Sequence, residues 1–153
     1  MTMPASASQE SVEFAAEFPL EPYTLATAQA IIVPCGVNVG EADASLTAVL
    51  EFVARARSKG VQGLVGAPHV RSVILDLRCV AHVSEPAYAM MHHLRRQCGL
   101  LDIEVFAIPP EEGSPLVRMW RAINGWFFPA PPRSLESRAV MLTESTMQST
   151  VGE

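Results

Sequence analysis

The segment Ser72 to Leu77, SVILDL, is apolar at both alternating positions and is broken only by Asp76. A strand of this kind cannot turn one face to water, so it belongs inside a sheet covered on both sides, as in a parallel α/β protein. A little further on the period changes. Ala87, Met91, Leu94 and Cys98 fall at i, i+4, i+7 and i+11, one face of a helix predicted from about Pro86 to Cys98. Gly99 is expected to end it. Between strand and helix stands Ser84-Glu85-Pro86. In α/β proteins the working residues gather beyond the carboxyl ends of strands, at this kind of junction.

The same alternation of periods recurs along the chain. Ala28 to Val33 (AQAIIV) is stopped by Pro34 and Gly36, which predicts a strand ending in a turn. From Glu41 to Lys59, Ala42, Leu46, Val49, Leu50, Val53 and Ala56 recur at helical spacing, with Glu51 and Arg55 four apart on the other face. The glycines and proline of GVQGLVGAPH, residues 60–69, predict a loop. Asp102 to Ile108 (DIEVFAI) is a further strand, closed by Pro109-Pro110. Ser114-Pro115 opens a helical face of Leu116, Trp120 and Ile123, and a proline-rich link after Trp126-Phe127-Phe128 leads to a short helical piece, Ser134 to Leu142. Strands alternating with helices imply parallel pairing and right-handed crossovers, hence a sheet with helices packed on it. Residues 1–20 and 143–153 read as flexible extensions around one domain, 21–142.

Composition narrows the function. A chain of 153 residues, 49% hydrophobic and 18% charged, is a single globular domain. Its net charge of -5 argues against nucleic acid as a partner, and Arg55/Arg57/Lys59 and Arg95/Arg96 read as solvated helix faces. No apolar run approaches the roughly 20 residues that span a bilayer, and MTMPASASQE has no signal-peptide pattern, so a cytoplasmic protein without direct membrane insertion is expected. Cys35, Cys79 and Cys98 form no CxxC pair and read as reduced, buried thiols. His92 and His93 point about 100° apart on a helix and have no ligand four residues away, so no metal or cofactor is expected. Cys35 with His82 as base is the best enzymatic pair, but no flanking pattern supports it, and a buried core cysteine is the plainer reading. The glycines of 60–66 do not form a phosphate-binding loop. No enzyme is expected.

The order Gly36-x-x-x-x-x-Ala42-x-x-x-Leu46, SVILDL, Val80-x-x-Val83, a turn into an apolar helix, DIEVFAI and a late SLESRAV resembles STAS domains of anti-sigma-factor antagonists and sulfate transporters. The resemblance covers roughly residues 28–142. It implies a small α/β domain in which a mixed β-sheet carries helices mainly on one face, and in which the strand aspartate, here Asp76, hydrogen-bonds the following loop. It also implies a non-enzymatic regulatory module whose partner is an anti-sigma factor or kinase-like regulator. The alternative is a cytoplasmic accessory subunit of a membrane transport complex, with a transporter ATPase subunit as partner. Where antagonists of the family read Asp-Ser-Ser-Gly, this chain reads Ser84-Glu85-Pro86-Ala87. Pro86 thus stands at the phosphorylated serine and has no hydroxyl, while Ser84, at the aspartate position, keeps one in the same loop. The usual kinase-operated switch is expected to be missing.

The same residues suit a helix start. Ser84 is a good N-cap, Glu85 lies at the positive end of the helix dipole, and Pro86 sits in the first turn, where a missing N–H costs little. A capping Ser84 oxygen would then have to take the Ala87 amide. Glu85 would supply one unit of the charge that a phosphate brings. With the apolar face inward, Ala89, His92, His93 and Arg96 turn outward beside Glu85, so a partner is expected on the outer start of this helix. Ala89 is small enough for close approach, or is simply a good helix former. Trp126 to Phe128 are expected under the C-terminal segment, with an exposed contact patch as the alternative.

Overall fold

The computed structural model describes residues 24–40, 43–60, 64, 66–110, 118 and 128–142. In chain order they form β1 (Ala30–Pro34), β2 (Asn38–Val39), α1 (Ala44–Ser58), β3 (Ser72–Asp76), β4 (His82–Val83), α2 (Glu85–Gly99), β5 (Glu104–Ile108), α3 (Arg133–Glu136) and β6 (Ala139–Met141). The main sheet has the order β5-β3-β1-β6, and all three pairings are parallel. β2 and β4 form a separate parallel pair. The class is α/β, with SVILDL in the interior of the sheet.

Period-two alternation sorts the strands onto two faces. Ile31, Val33, Val73, Leu75, Val105 and Ala107 point into the larger core, where Leu46, Val49, Phe52 and Val53 of α1 and Ala87, Met91, Leu94 and Cys98 of α2 meet them. Ala30, Ile74 and Phe106 form a smaller cluster on the opposite face, where Leu135 of α3 packs. Both long helices therefore lie on one face. The α2 core residues are those its sequence period required, each without solvent exposure. On α1, Phe52 joins the buried face and Leu50 lies at its margin, while Ala42 is outside the described residues.

Side-chain caps fix the start of each long helix. Asp43 Oδ1 accepts from the Leu46 amide at 2.9 Å, and Ser84 Oγ accepts from the Ala87 amide at 3.2 Å. The second bond is the one that Pro86, lacking a donor, forces on Ser84. α2 extends through Gly99 rather than stopping before it, and the left-handed residue that turns the chain into β5 is Asp102, with φ 60°. Aspartate tolerates that conformation better than most side chains.

The C-terminal piece differs from its expected form. In place of a helix over Ser134 to Leu142, the four-residue α3 gives way to β6. The Gln29 amide donates to Arg138 O at 2.9 Å and the Leu142 amide to Ile32 O at 2.8 Å. The edge of β1 thus captures Ala139–Met141, and backbone pairing overrides local helix preference. The expected helix over 114–123, Trp126, Phe127 and both terminal extensions lie outside the described residues, apart from Arg118. Phe128 is wholly buried, and Pro129 O accepts from the Ala107 amide at 2.9 Å, which ties this segment to β5.

Met91→Ala should cost about 2–5 kcal/mol in denaturant melts, because it empties a buried site that rigid neighbours cannot collapse into. Asp43→Ala and Ser84→Ala should each cost about 1 kcal/mol. An unchanged melt for Met91→Ala would contradict the helix phase.

Candidate functional site

Parallel strands end together, so Pro34 of β1 and Asp76 of β3 bring their following loops to one edge of the sheet. Asp76 closes the loop after β3. Its Oδ1 accepts from the Arg78 amide at 3.2 Å and from Arg78 Nε at 2.9 Å, and its Oδ2 accepts from Nη2 at 2.8 Å. The guanidinium holds the Asp76 carboxyl below its ordinary pKa against the opposing effect of burial. The loop hydrogen bond implied for this aspartate is thus present, with Arg78 as its donor.

The loop after β1 braces the helix start. The Ala81 and His82 amides both donate to Val37 O, at 2.8 and 3.1 Å, and the Ser84 amide donates to Val39 O at 2.9 Å. Ser84, with both its amide and its hydroxyl oxygen engaged, is half-buried between this brace and α2. Glu85, Pro86 and Ala89 are exposed beside it, and so is the Val37 side chain, at 56%. Val37 and Arg78 are the members that sequence reasoning missed. The alternation Val37-x-Val39 between Gly36 and Gly40 was the available signal for a short paired strand.

His93 and Arg96 face outward on α2 as expected, but His92 does not. Its ring is half-buried, 4.7 Å edge-on from Tyr88 and 5.5 Å from Phe128. Burial depresses the His92 pKa, with Arg95 and Arg96 adding to the effect. His92 follows Met91 of the core face, so it stands at the margin of the helix stripe. Phe128, which no helical period reveals, covers it, and the Arg95 guanidinium lies 5.5 Å from the same ring. Of the residues expected to meet a partner, Glu85, Ala89, His93 and Arg96 are exposed, while Ser84 and His92 are half-buried.

The thiols separate by burial. Cys35 is buried, with its Sγ 3.8 Å from Val33 O, and its pKa is pushed up to about 12 by burial first and then by Asp43 and Asp76. A thiol so placed supplies little thiolate near neutrality, the state of a core cysteine rather than of an activated nucleophile. Burial also raises Cys98 to about 12. Cys79 departs from expectation: it is exposed, since its turn after β3 projects beyond the core. Among the described residues no three His, Cys, Asp or Glu side chains group to hold a metal ion, and no helix is long and apolar enough to cross a membrane.

No family model matches this sequence, and no curated protein matches it. Among solved structures, the anti-sigma factor antagonist SpoIIAA in its unphosphorylated form is similar, with a TM-score of 0.44 and 10% identity. The match covers 82% of this chain and 92% of that one.

Thiol labelling at pH 8 should modify Cys79 rapidly in the folded protein and reach Cys35 and Cys98 only after denaturation. Early modification of Cys35 would contradict its burial. In an NMR titration, His92 should titrate below the ordinary histidine value of about 6.5. Because its folded pKa is depressed, its contribution to stability is present above that unfolded value. It is lost as the pH falls through about 6.5 toward the folded pKa.

Proposed function

We propose that this chain is a non-enzymatic regulatory module of STAS type that docks a protein partner, an anti-sigma factor or kinase-like regulator, on the outer start of α2. The observation that carries this reading is the state of the sheet's carboxyl edge. Cys35 is buried with a raised pKa, Asp76 is bound to Arg78, and Ser84 caps a helix, while an apolar side chain, Val37, stands exposed. An acyl- or phosphoryl-transfer centre needs a nucleophile beside a base. A docking surface needs a fixed shape with accessible apolar area and small residues that permit close approach. Val37 and Ala89, with Glu85 between charge and helix dipole, meet the second requirement.

The sequence resemblance supplies the partner class, and Pro86 in place of the acceptor serine sets this chain apart from a kinase-operated antagonist. The proposed module therefore presents a constant surface, in which Glu85 supplies one fixed negative charge at the helix start. Control would come through the amount of protein or of partner rather than through a phosphate on this loop.

Affinity capture with tagged protein and mass spectrometry tests the proposal. A soluble anti-sigma or kinase-like partner should be retained; a transporter ATPase subunit would favour the transport reading, and thiol-dependent turnover would contradict both. Glu85→Lys and Ala89→Arg should abolish capture while shifting stability by no more than about 1 kcal/mol, the scale of a helix-dipole contact. With the captured kinase-like partner and ATP, peptide mapping should find no phosphate on residues 84–87. Stoichiometric phosphate on Ser84 would show that the switch has moved by two residues.

A further inference from the structure

The two faces of the main sheet are covered unequally. One is closed by α1 and α2. On the other, residues in register form an apolar row across all four strands: Met141, Ile32, Ile74 and Phe106. Among the described residues, Leu135 of the four-residue α3 is the hydrophobic side chain from outside the strands that packs on this cluster. Cover is complete at Ile74, which has no exposure, and fails toward β6, where Ile32 is half-buried and Met141 is 47% exposed. Pro34, two residues beyond Ile32 on the same face, is half-buried, as is Ile108 at the end of β5. Sheets of parallel strands are covered on both faces as a rule, so this apolar strip calls for a further cover.

The chain carries suitable residues close by. The Thr24 carbonyl accepts from the Thr27 and Ala28 amides at 3.1 and 2.8 Å, a turn that brings the preceding chain to the amino end of β1. Residues 1–23 lie before that turn, and in them Val12, Phe14, Phe18 and Leu20 stand among small and acidic residues. Phe14 and Phe18, four apart, would share one side of a helical turn, and Glu13 and Glu17 another. The six residues from Phe18 to Thr24 span about 20 Å when extended, and β1 is about 17 Å long. Phe18 is therefore within reach of the whole strip on β1 and β6.

We propose that residues 11–23 fold back on the outer face of the sheet and cover Ile32, Pro34 and Met141, with Phe14 and Phe18 as the apolar contacts. Residues 11–23 are then part of the domain rather than an extension from it. Other occupants fit less well. The segment after β6, residues 143–153, is polar apart from Met147, Val151 and Gly152. A second copy stacking its own sheet here would have to approach to about 10 Å, and α3, seated on this face, holds it off. The strip lies on the opposite face from α1 and α2, so the proposal is independent of docking at Glu85 and Ala89.

Photo-crosslinking in the full chain tests this. With p-benzoylphenylalanine in place of Phe18, irradiation should join position 18 to Met141, Ile32 or Pro34 of the same chain, as read by peptide mapping of the monomer. Met141→Glu should lower the yield about tenfold, because it sets a charge in the apolar contact. Leu100→Glu and Glu85→Lys/Ala89→Arg, on other surfaces, should leave it unchanged. A second measurement needs no photoprobe. In Phe14→Ser/Phe18→Ser, hydrogen peroxide should oxidise Met141 about tenfold faster than in the wild type, since its thioether loses its cover. Attachment between two chains would make a second copy the occupant, and attachment nowhere on β1 or β6 would leave the strip to a partner protein. Either result, or equal oxidation of Met141 in the two proteins, would overturn the proposal.

Discussion

Burial of β3 on both faces is the constraint from which the other elements follow. Val73, Ile74 and Leu75 have no solvent exposure, so each side of the strand needs its own apolar cover. One side is supplied by two long helices and the other by a smaller cluster that includes Leu135. Flanking β3 with β1 and β5 in parallel satisfies its backbone groups and obliges the chain to cross back between strands. Those crossings are α1 and α2. Their direction then puts both capped helix starts at the carboxyl edge and both basic helix ends at the amino edge. The division of the surface into two unlike ends is thus a result of how the core is covered.

Asp76 shows how the same strand connects core to surface. Its backbone belongs to the ladder, while its carboxylate is pinned by Arg78 at the point where the chain leaves the sheet. The turn that follows is held from the other side by Val37 and Val39 carbonyls. Ser84 therefore enters α2 from a loop fixed at both ends. A surface intended to recognise another protein benefits from such fixation, because little ordering remains to be done on binding.

Much of this was legible in the sequence wherever one period ran without interruption. The buried set Ala87, Met91, Leu94 and Cys98 and the Ser84 cap on Ala87 follow from spacing and from the missing donor of Pro86. His92 was misread because its cover comes from Phe128, remote in sequence, and a helical wheel contains no information about that. β6 was misread for a similar reason: three residues are too few to carry a period, and only the waiting edge of β1 decides their conformation. β2 and β4 are shorter still. Cys79 was assigned to the core by residue type, whereas a turn projecting past Asp76 decides its exposure.

The pairing of β1 with β6 joins residues near opposite ends of the described chain, and this orders events during synthesis. β1 meets β3 as soon as the first crossover has emerged, yet its other edge must wait for Ala139–Met141. Through that interval Ile31 and Ile32 present an unpaired backbone edge, the form in which strands recruit their counterparts on neighbouring chains. A pairing of such long sequence separation also forms slowly, since its loop-closure entropy is met before any contact compensates it. β6, the last strand among the described residues, is thus the cover that this edge of β1 receives latest in synthesis, and the interval before it pairs is the interval in which the edge is open to other chains.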